Sequence, residues 1–340
     1  MSKTVKQRII GIVLLLTCLS GCIQIENTKD TQVKKSIVSD VSNLGAEVVE
    51  ETEHEAVSLL GQKLYPPTLP DKVQAKRQKE LESAEENFNN NPDSLDNIIW
   101  YGRRLAYLYQ YKYAIQIFTL GLNKFPESYK LYRHRGHRYL TIRQFDKAIQ
   151  DLEKAVFYSR NAPIEMEIDG LPNRRNIPRN SVQYNIWYHL GLAYYMKGNY
   201  DKCVSAFKKC LSISDNDDML VAASDWLYMT YRKLGNSEAA EALLEPIKAR
   251  MNVLENYAYH NRLLMYKEIK KPEQLYKLNK DGQIAIDDMT LGYGVGNWYY
   301  YNGQTEQAME IFSLMMESPY WQAFGYIAAE VELSNVNAGS

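Results

Sequence analysis

The sequence has little of what usually carries catalysis. Its 340 residues contain no Gly-rich phosphate loop opening a helix after a strand, no nucleophile elbow, no zinc-binding His-Glu pattern and no Ser/His/Asp set in recognisable context. Gly292-Tyr-Gly-Val-Gly296 is the nearest approach to a nucleotide loop, but no strand precedes it and it falls inside a predicted helix. Cysteine is scarce: of 4 in the chain, Cys18 and Cys22 belong to the N-terminal segment. The other two, Cys203 and Cys210, lie on one predicted helix, about 10 Å apart by its rise and beyond the roughly 7 Å limit for a disulfide. They read as two small buried residues. Basic charge is not in excess either. A formal net charge of −1 argues against the dense basic face that general nucleic-acid binding needs.

The N-terminus is a processing signal rather than part of the fold. Lys3, Lys6 and Arg8 precede the apolar run Ile9 to Leu16, which is too short to span a bilayer as a permanent helix. Leu19-Ser20-Gly21-Cys22 follows directly and resembles the lipobox of bacterial lipoproteins. That resemblance implies removal of residues 1–21 and lipidation of Cys22, which would carry the membrane attachment. Loss of the three basic residues would move the net charge from −1 to −4. Ile23 is not the Asp associated with inner-membrane retention, so the resemblance implies an outer membrane, facing the periplasm, if the host has two membranes. Residues 22–70 read as the lipidated cysteine and a polar, flexible tether of roughly 35–40 Å mean span. A short helix over Ala56 to Leu64 would be stopped by Pro66, Pro67 and Pro70.

What the chain does have is a phrase that returns at a fixed interval. Gly102 and Ala114 reappear 34 residues on as Gly136 and Ala148, and Pro92 and Pro126 stand the same distance apart. A third copy reads Trp187, Leu190, Gly191 and Tyr194, then Cys203, Phe207 and Cys210. Aligning the small residue of each second helix gives Ala114, Ala148, Cys203, Ala240, Leu275 and Ala308. Such a period means helical hairpins that must stack on neighbours to bury their apolar faces. The arrangement resembles the tetratricopeptide repeat. It implies an all-α solenoid, a right-handed superhelix of about six hairpins over residues 71–335. A helix over Tyr320 to Leu333 would cap the array, and residues 336–340 would form a tail. Tyr228 and Leu263 replace the small residue in units four and five, where the motif weakens.

In that family the first helices line a concave groove. Carried over by register, the groove holds Arg103 and Tyr107, then Lys130, Arg133, His134 and His137, then Tyr188, His189 and Tyr195. Arg232, Lys233, His260, Asn297 and Tyr300 continue it. The early groove is thus basic and aromatic, suited to an extended or acidic peptide held by charge-assisted bonds. Arg104 and Arg138 fit an ordinary solvated face. His134 and His137 stand at helical spacing for a shared ion, but no Cys, Asp or Glu accompanies them and three arginines repel cations. They read as polar groove contacts, with no metal and no cofactor.

The one large break in register is an insertion over residues 161–181. Pro163, Gly170, Pro172 and Pro178 exclude a continuous helix there. Ile164, Met166, Ile168, Leu171 and Ile177 are expected to seek burial, folding the loop near the groove mouth. That would bring Arg174, Arg175 and Arg179 to the basic stretch. The functional expectation is a non-enzymatic scaffold that binds other envelope proteins or peptides. Alternatives are a carrier for an envelope glycan, stacking it on Tyr188 and Tyr195, or an enzyme whose site is built on the 161–180 loop.

Overall fold

The computed structural model describes residues 54–276 and 286–339; Cys22 and the expected signal lie outside them. A two-stranded antiparallel hairpin, β1 (Ala56–Val57) and β2 (Lys63–Leu64), precedes helix α1 (Asp71–Asn90). Six helical hairpins follow. Their helices are α2 (Leu95–Tyr107) with α3 (Tyr111–Lys124), α4 (Tyr129–Thr141) with α5 (Phe145–Ser159), and α6 (Val182–Met196) with α7 (Tyr200–Ser212). Then come α8 (Asp217–Lys233) with α9 (Ser237–Ala242), α10 (Tyr257–Tyr266) with α11 (Pro272–Leu275), and α12 (Ile286–Tyr301) with α13 (Thr305–Met315). Helix α14 (Phe324–Gly339) is the last element among the described residues.

The recurring proline phrase marks where one hairpin ends and the next begins. In Pro92-Asp-Ser94 and Pro126-Glu-Ser128 the serine caps the next first helix, its hydroxyl accepting the N–H of Asn97 or Leu131. Ser181 does the same for α6 through Tyr184. Each cap satisfies an N–H that the first turn would leave unpaired. Within each hairpin the chain reverses through one residue in the left-handed region: Tyr109, Arg143, Gly198, Gly235, Glu268 and Gly303. This register of turns runs through all six units. It was hidden in the sequence because three of the six are not glycine.

Packing follows from side-chain size. A Cβ on Gly191 would meet the Phe207 ring at 2.8 Å, and one on Gly136 would meet Leu152 at 2.8 Å; Gly102 is pressed in the same way by Phe118. Small residues of the second helices, Ala114, Ala148, Cys203, Ala240 and Ala308, are fully buried. Leu275 differs: it ends a single-turn helix and is only half-buried. Where Tyr228 replaces the glycine, its ring instead stacks on Tyr266 at 4.1 Å and 6°. The Gly292-Tyr-Gly-Val-Gly296 run lies inside α12. Its three glycines make room for Tyr276, Arg262 and Phe312 respectively. Cys203 and Cys210 are free and buried, and burial pushes the Cys203 thiol up to about 12.

Two segments depart from expectation. Residues 56–64 form the hairpin rather than a short helix, because Glu55 and Leu59 find partners elsewhere. The Glu55 carboxylate accepts the N–H of Lys112 at 3.0 Å, and the Leu59 N–H donates to Glu330 Oε1 at 2.6 Å. The C-terminal helix, which continues to Gly339, does more than cap the sixth hairpin. Beyond α12 and α13 it reaches α4 and α6, where Phe324 packs on the rings of His137 and His189 at 5.4 and 5.6 Å respectively. Glu332 pairs with Lys233 at 2.7 Å and accepts from Tyr293 at 3.2 Å.

Candidate functional site

The 161–181 insertion lies against α2, through Arg103 and Arg104, and against α4, through Tyr129, Lys130 and Arg133, and its first half is extended. Glu167 N–H donates to Asn180 O and Val182 N–H to Glu165 O, with an isolated antiparallel bridge between Met166 and Ser181. Extended backbone alternates its side chains between two faces. Here the sequence Ile-Glu-Met-Glu-Ile-Asp turns its acids inward and leaves its apolar residues in water: Ile164 is 59% exposed, Met166 43% and Ile168 66%. Leu171 and Ile177 are exposed as well. Burial of apolar side chains therefore does not hold the loop down; ion pairs do.

Lys130 pairs with Glu165 at 2.6 Å, and the Tyr129 hydroxyl donates to the same carboxylate at 3.2 Å. Arg133 meets Glu167 at 3.1 Å, and Glu167 also accepts from Asn185 at 2.8 Å. Arg103 donates to the Ile168 carbonyl at 2.8 Å and to the Tyr107 hydroxyl at 3.2 Å, while its guanidinium lies 4.3 Å over Trp100. Gly170 lacks a side chain where the Tyr107 ring presses closest. The basic stretch of the first two repeats thus grips an acidic extended segment, and that segment is its own.

Under the loop a compartment of about 230 Å³ remains open. Arg103, Tyr107, Arg133, His134, His137 and Arg138 form one side of it, with Glu167, Asp169 and Asn180 among the loop residues on the other. Arg138, which reads in the sequence as solvated surface, lines this space with no hydrogen bond or ion pair to a described residue. Its guanidinium lies 5.3 Å over Tyr111, and burial brings its pKa down to about 10. His134 stacks on Phe118 at 5.6 Å, whereas His137 turns to His189 at 4.1 Å, so the pair does not converge on one point. Burial, and then the neighbouring arginines, hold all three imidazoles well below their ordinary pKa. They are neutral at pH 7.

Tyr188, His189 and Tyr195 do not face open space. The Tyr188 hydroxyl donates to Tyr259 and accepts from Trp226, both at 2.9 Å, and Tyr195 shares a 2.6 Å hydrogen bond with Tyr293. Both rings are buried, as is His189. The loop arginines do not join the basic stretch. Arg179 is drawn to the fully buried Asp218 at 2.8 Å, a carboxylate that also accepts the N–H groups of Leu254, Glu255 and Asn256. Arg174 and Arg175 are exposed. Sequence reasoning placed Arg103, Tyr107, Lys130, Arg133, His134 and His137 in one neighbourhood, where the fold does bring them. It missed Arg138, Glu167, Asp169 and Asn180. The alternation of acid and apolar residues over 164–169 was the available signal for the two acids.

The tetratricopeptide repeat family model matches residues 184–217, which span α6 and α7. Among solved structures, a tetratricopeptide repeat protein from Parabacteroides merdae is 15% identical, over 72% of this chain and 80% of that one, with a TM-score of 0.42. YrrB, a tetratricopeptide repeat protein described as having an unusual peptide-binding site, is 14% identical over 70% and 92%, with a TM-score of 0.40. MamA from Desulfovibrio magneticus is 16% identical over 60% and 99%, with a TM-score of 0.39. No curated protein matches the chain. The chain is a tetratricopeptide-like array of helical hairpins, an architecture that generally serves protein–protein interaction.

Proposed function

We propose that the chain is a non-enzymatic lipoprotein of the bacterial cell envelope, held to a membrane through Cys22, whose repeats bind an acidic, extended segment of another envelope protein. The outer membrane is its place where the host has two. One observation carries the binding reading: Lys130, Arg133 and Arg103 already hold an extended strand with an acid at every second residue. A partner segment of the same alternation presents the same carboxylates to the same cations. It competes with the loop, whose exposed apolar face contributes nothing to keeping it in place. The glycan reading loses the residues it relied on, since Tyr188 and Tyr195 are buried and bonded to other rings.

The test uses a labelled peptide with the sequence of residues 164–170 and the unlipidated chain carrying Cys22→Ser. Loosening the loop by Glu165→Gln with Glu167→Gln should strengthen peptide binding at least tenfold, and adding Lys130→Ala should reverse the gain. Equal, weak binding by all three proteins would defeat the reading. Membrane attachment is read separately, by fractionation of Cys22→Ala cells.

A further inference from the structure

The compartment beneath the loop is not filled by the acids that close it. Its lining holds two kinds of unmet hydrogen-bonding demand. On the helix side, Arg133 is 8% exposed and its Nε has no acceptor, while Arg138 has no anionic partner at all among the described residues. On the loop side, Asp169 Oδ2 and Asn180 Oδ1 are buried acceptors without a donor. Polar groups removed from water are ordinarily paired, because leaving them unpaired costs free energy comparable to a lost hydrogen bond. Three such atoms, with the half-buried and anion-free Arg138 beside them, line one small space and point to something that belongs there.

The charges agree. Arg103, Arg133 and Arg138 face Glu167 and Asp169 across the compartment, the histidines being neutral, so the lining carries one uncompensated positive charge. The space of about 230 Å³ is below the usual range for drug-sized ligands and holds about seven or eight water-sized groups. Donors on one wall and acceptors on the other call for a ligand with charged oxygens at one end and a hydroxyl hydrogen at the other.

We infer that this compartment is a binding site for a small hydroxylated oxyanion, a phosphate group or a hydroxycarboxylate, seated between Arg133 and Arg138 on one side and Asp169 and Asn180 on the other. Forked guanidinium groups suit such oxygens, and charge-assisted bonds are the stronger kind. By bridging loop and helices, the anion fastens the loop closed. It therefore opposes any acidic segment that must lift the loop to bind, but the site stands without that reading.

The experiment is a calorimetric and thermal-shift titration of the full chain carrying Cys22→Ser. The probes are sodium phosphate, malate and succinate, with sodium chloride at matched ionic strength. Saturable binding of phosphate or malate is expected, with a rise in melting temperature that chloride does not give. Which of the two binds distinguishes a phosphate from a hydroxycarboxylate site. Succinate, which lacks the hydroxyl, should bind at least fivefold more weakly than malate. Arg138→Gln should weaken binding at least tenfold. Because Arg138 packs on Tyr111, Asn180→Asp serves as a second variant, placing a charge on the half-exposed loop side, and should weaken binding comparably. Absence of saturable binding by phosphate and malate, or unchanged affinity in both variants, overturns the site. The loosened-loop protein separates the two readings. It should lose the small anion while gaining the acidic peptide, so either result can fail while the other holds.

Discussion

Arg143, in the turn between the helices of the second repeat, forms a buried ion pair at 2.7 Å with Glu330 of the last helix. The same guanidinium donates to the carbonyls of Thr141 and Trp321, and the second oxygen of Glu330 accepts the Leu59 N–H. One carboxylate thus joins three distant parts of the chain. Glu330→Ala leaves Arg143 buried and uncompensated and should cost about 3–5 kcal/mol. Urea unfolding monitored by circular dichroism measures it; a loss below 1 kcal/mol would mean the contact is incidental.

Glu268 is exposed and sits at φ 61°, where side chains cost about 1–2 kcal/mol. Glu268→Gly should therefore stabilise the protein, by about 0.5–1 kcal/mol after the added freedom of the unfolded chain is subtracted. The converse change at the equivalent turn, Gly198→Ala, should destabilise although its Cβ would meet nothing within 4 Å. Paired denaturation curves decide both.

Gly191→Ala tests the packing rule at the hairpin contact. Its methyl would lie 2.8 Å from the buried Phe207 ring, and forcing the helices apart should cost about 1–3 kcal/mol. Combining it with Phe207→Leu should recover part of that loss, which a purely conformational effect of alanine would not allow.

Stability should fall on mild acidification. His134, His137 and His189 are held neutral in the folded state, chiefly by burial and then by nearby arginines. As pH drops through the ordinary histidine range near 6.5, the unfolded chain takes up protons that the folded chain refuses. Their contribution is full above that range and is lost below it. Asp169 acts in the opposite sense: burial, with Glu255 and Glu167, raises its carboxyl to about 6, so the folded state accepts its proton first. Asp225 acts in the same sense as Asp169, burial raising its carboxyl to about 7 against the pull of Arg262. Three groups against two still leave a net loss. A urea midpoint that rises between pH 7.5 and 5.5 would contradict this balance.

The repeats were legible because they are written in side-chain size at fixed spacing, as in Gly191 against Phe207. That information is local, within one hairpin. The turns at Tyr109, Arg143 and Glu268 were not legible, since neighbouring packing imposes a left-handed backbone on residues that do not ask for it. Nor was the loop's orientation. Its apolar residues suggested burial, but Glu165 and Glu167 had cations waiting on α4, and neutralising inward charges outweighed burying Ile164 or Ile168. The inward reach of the last helix was equally hidden, because Glu330 and Glu332 carry no sign of Arg143 and Lys233.

The hairpin at residues 56–64 touches the first repeat through Glu55 and the last helix through Leu59, and the Trp321 indole donates to the Tyr65 carbonyl at 2.6 Å. A plain array of repeats behaves like a spring whose ends fray independently. Here the ends are buckled together, so terminal repeats cannot peel away without first undoing the buckle, and melting should be all-or-none across the array. Force applied along the chain at residue 54 would load that buckle before any helix. A pull from that side meets a latch, and its release would free both ends at once.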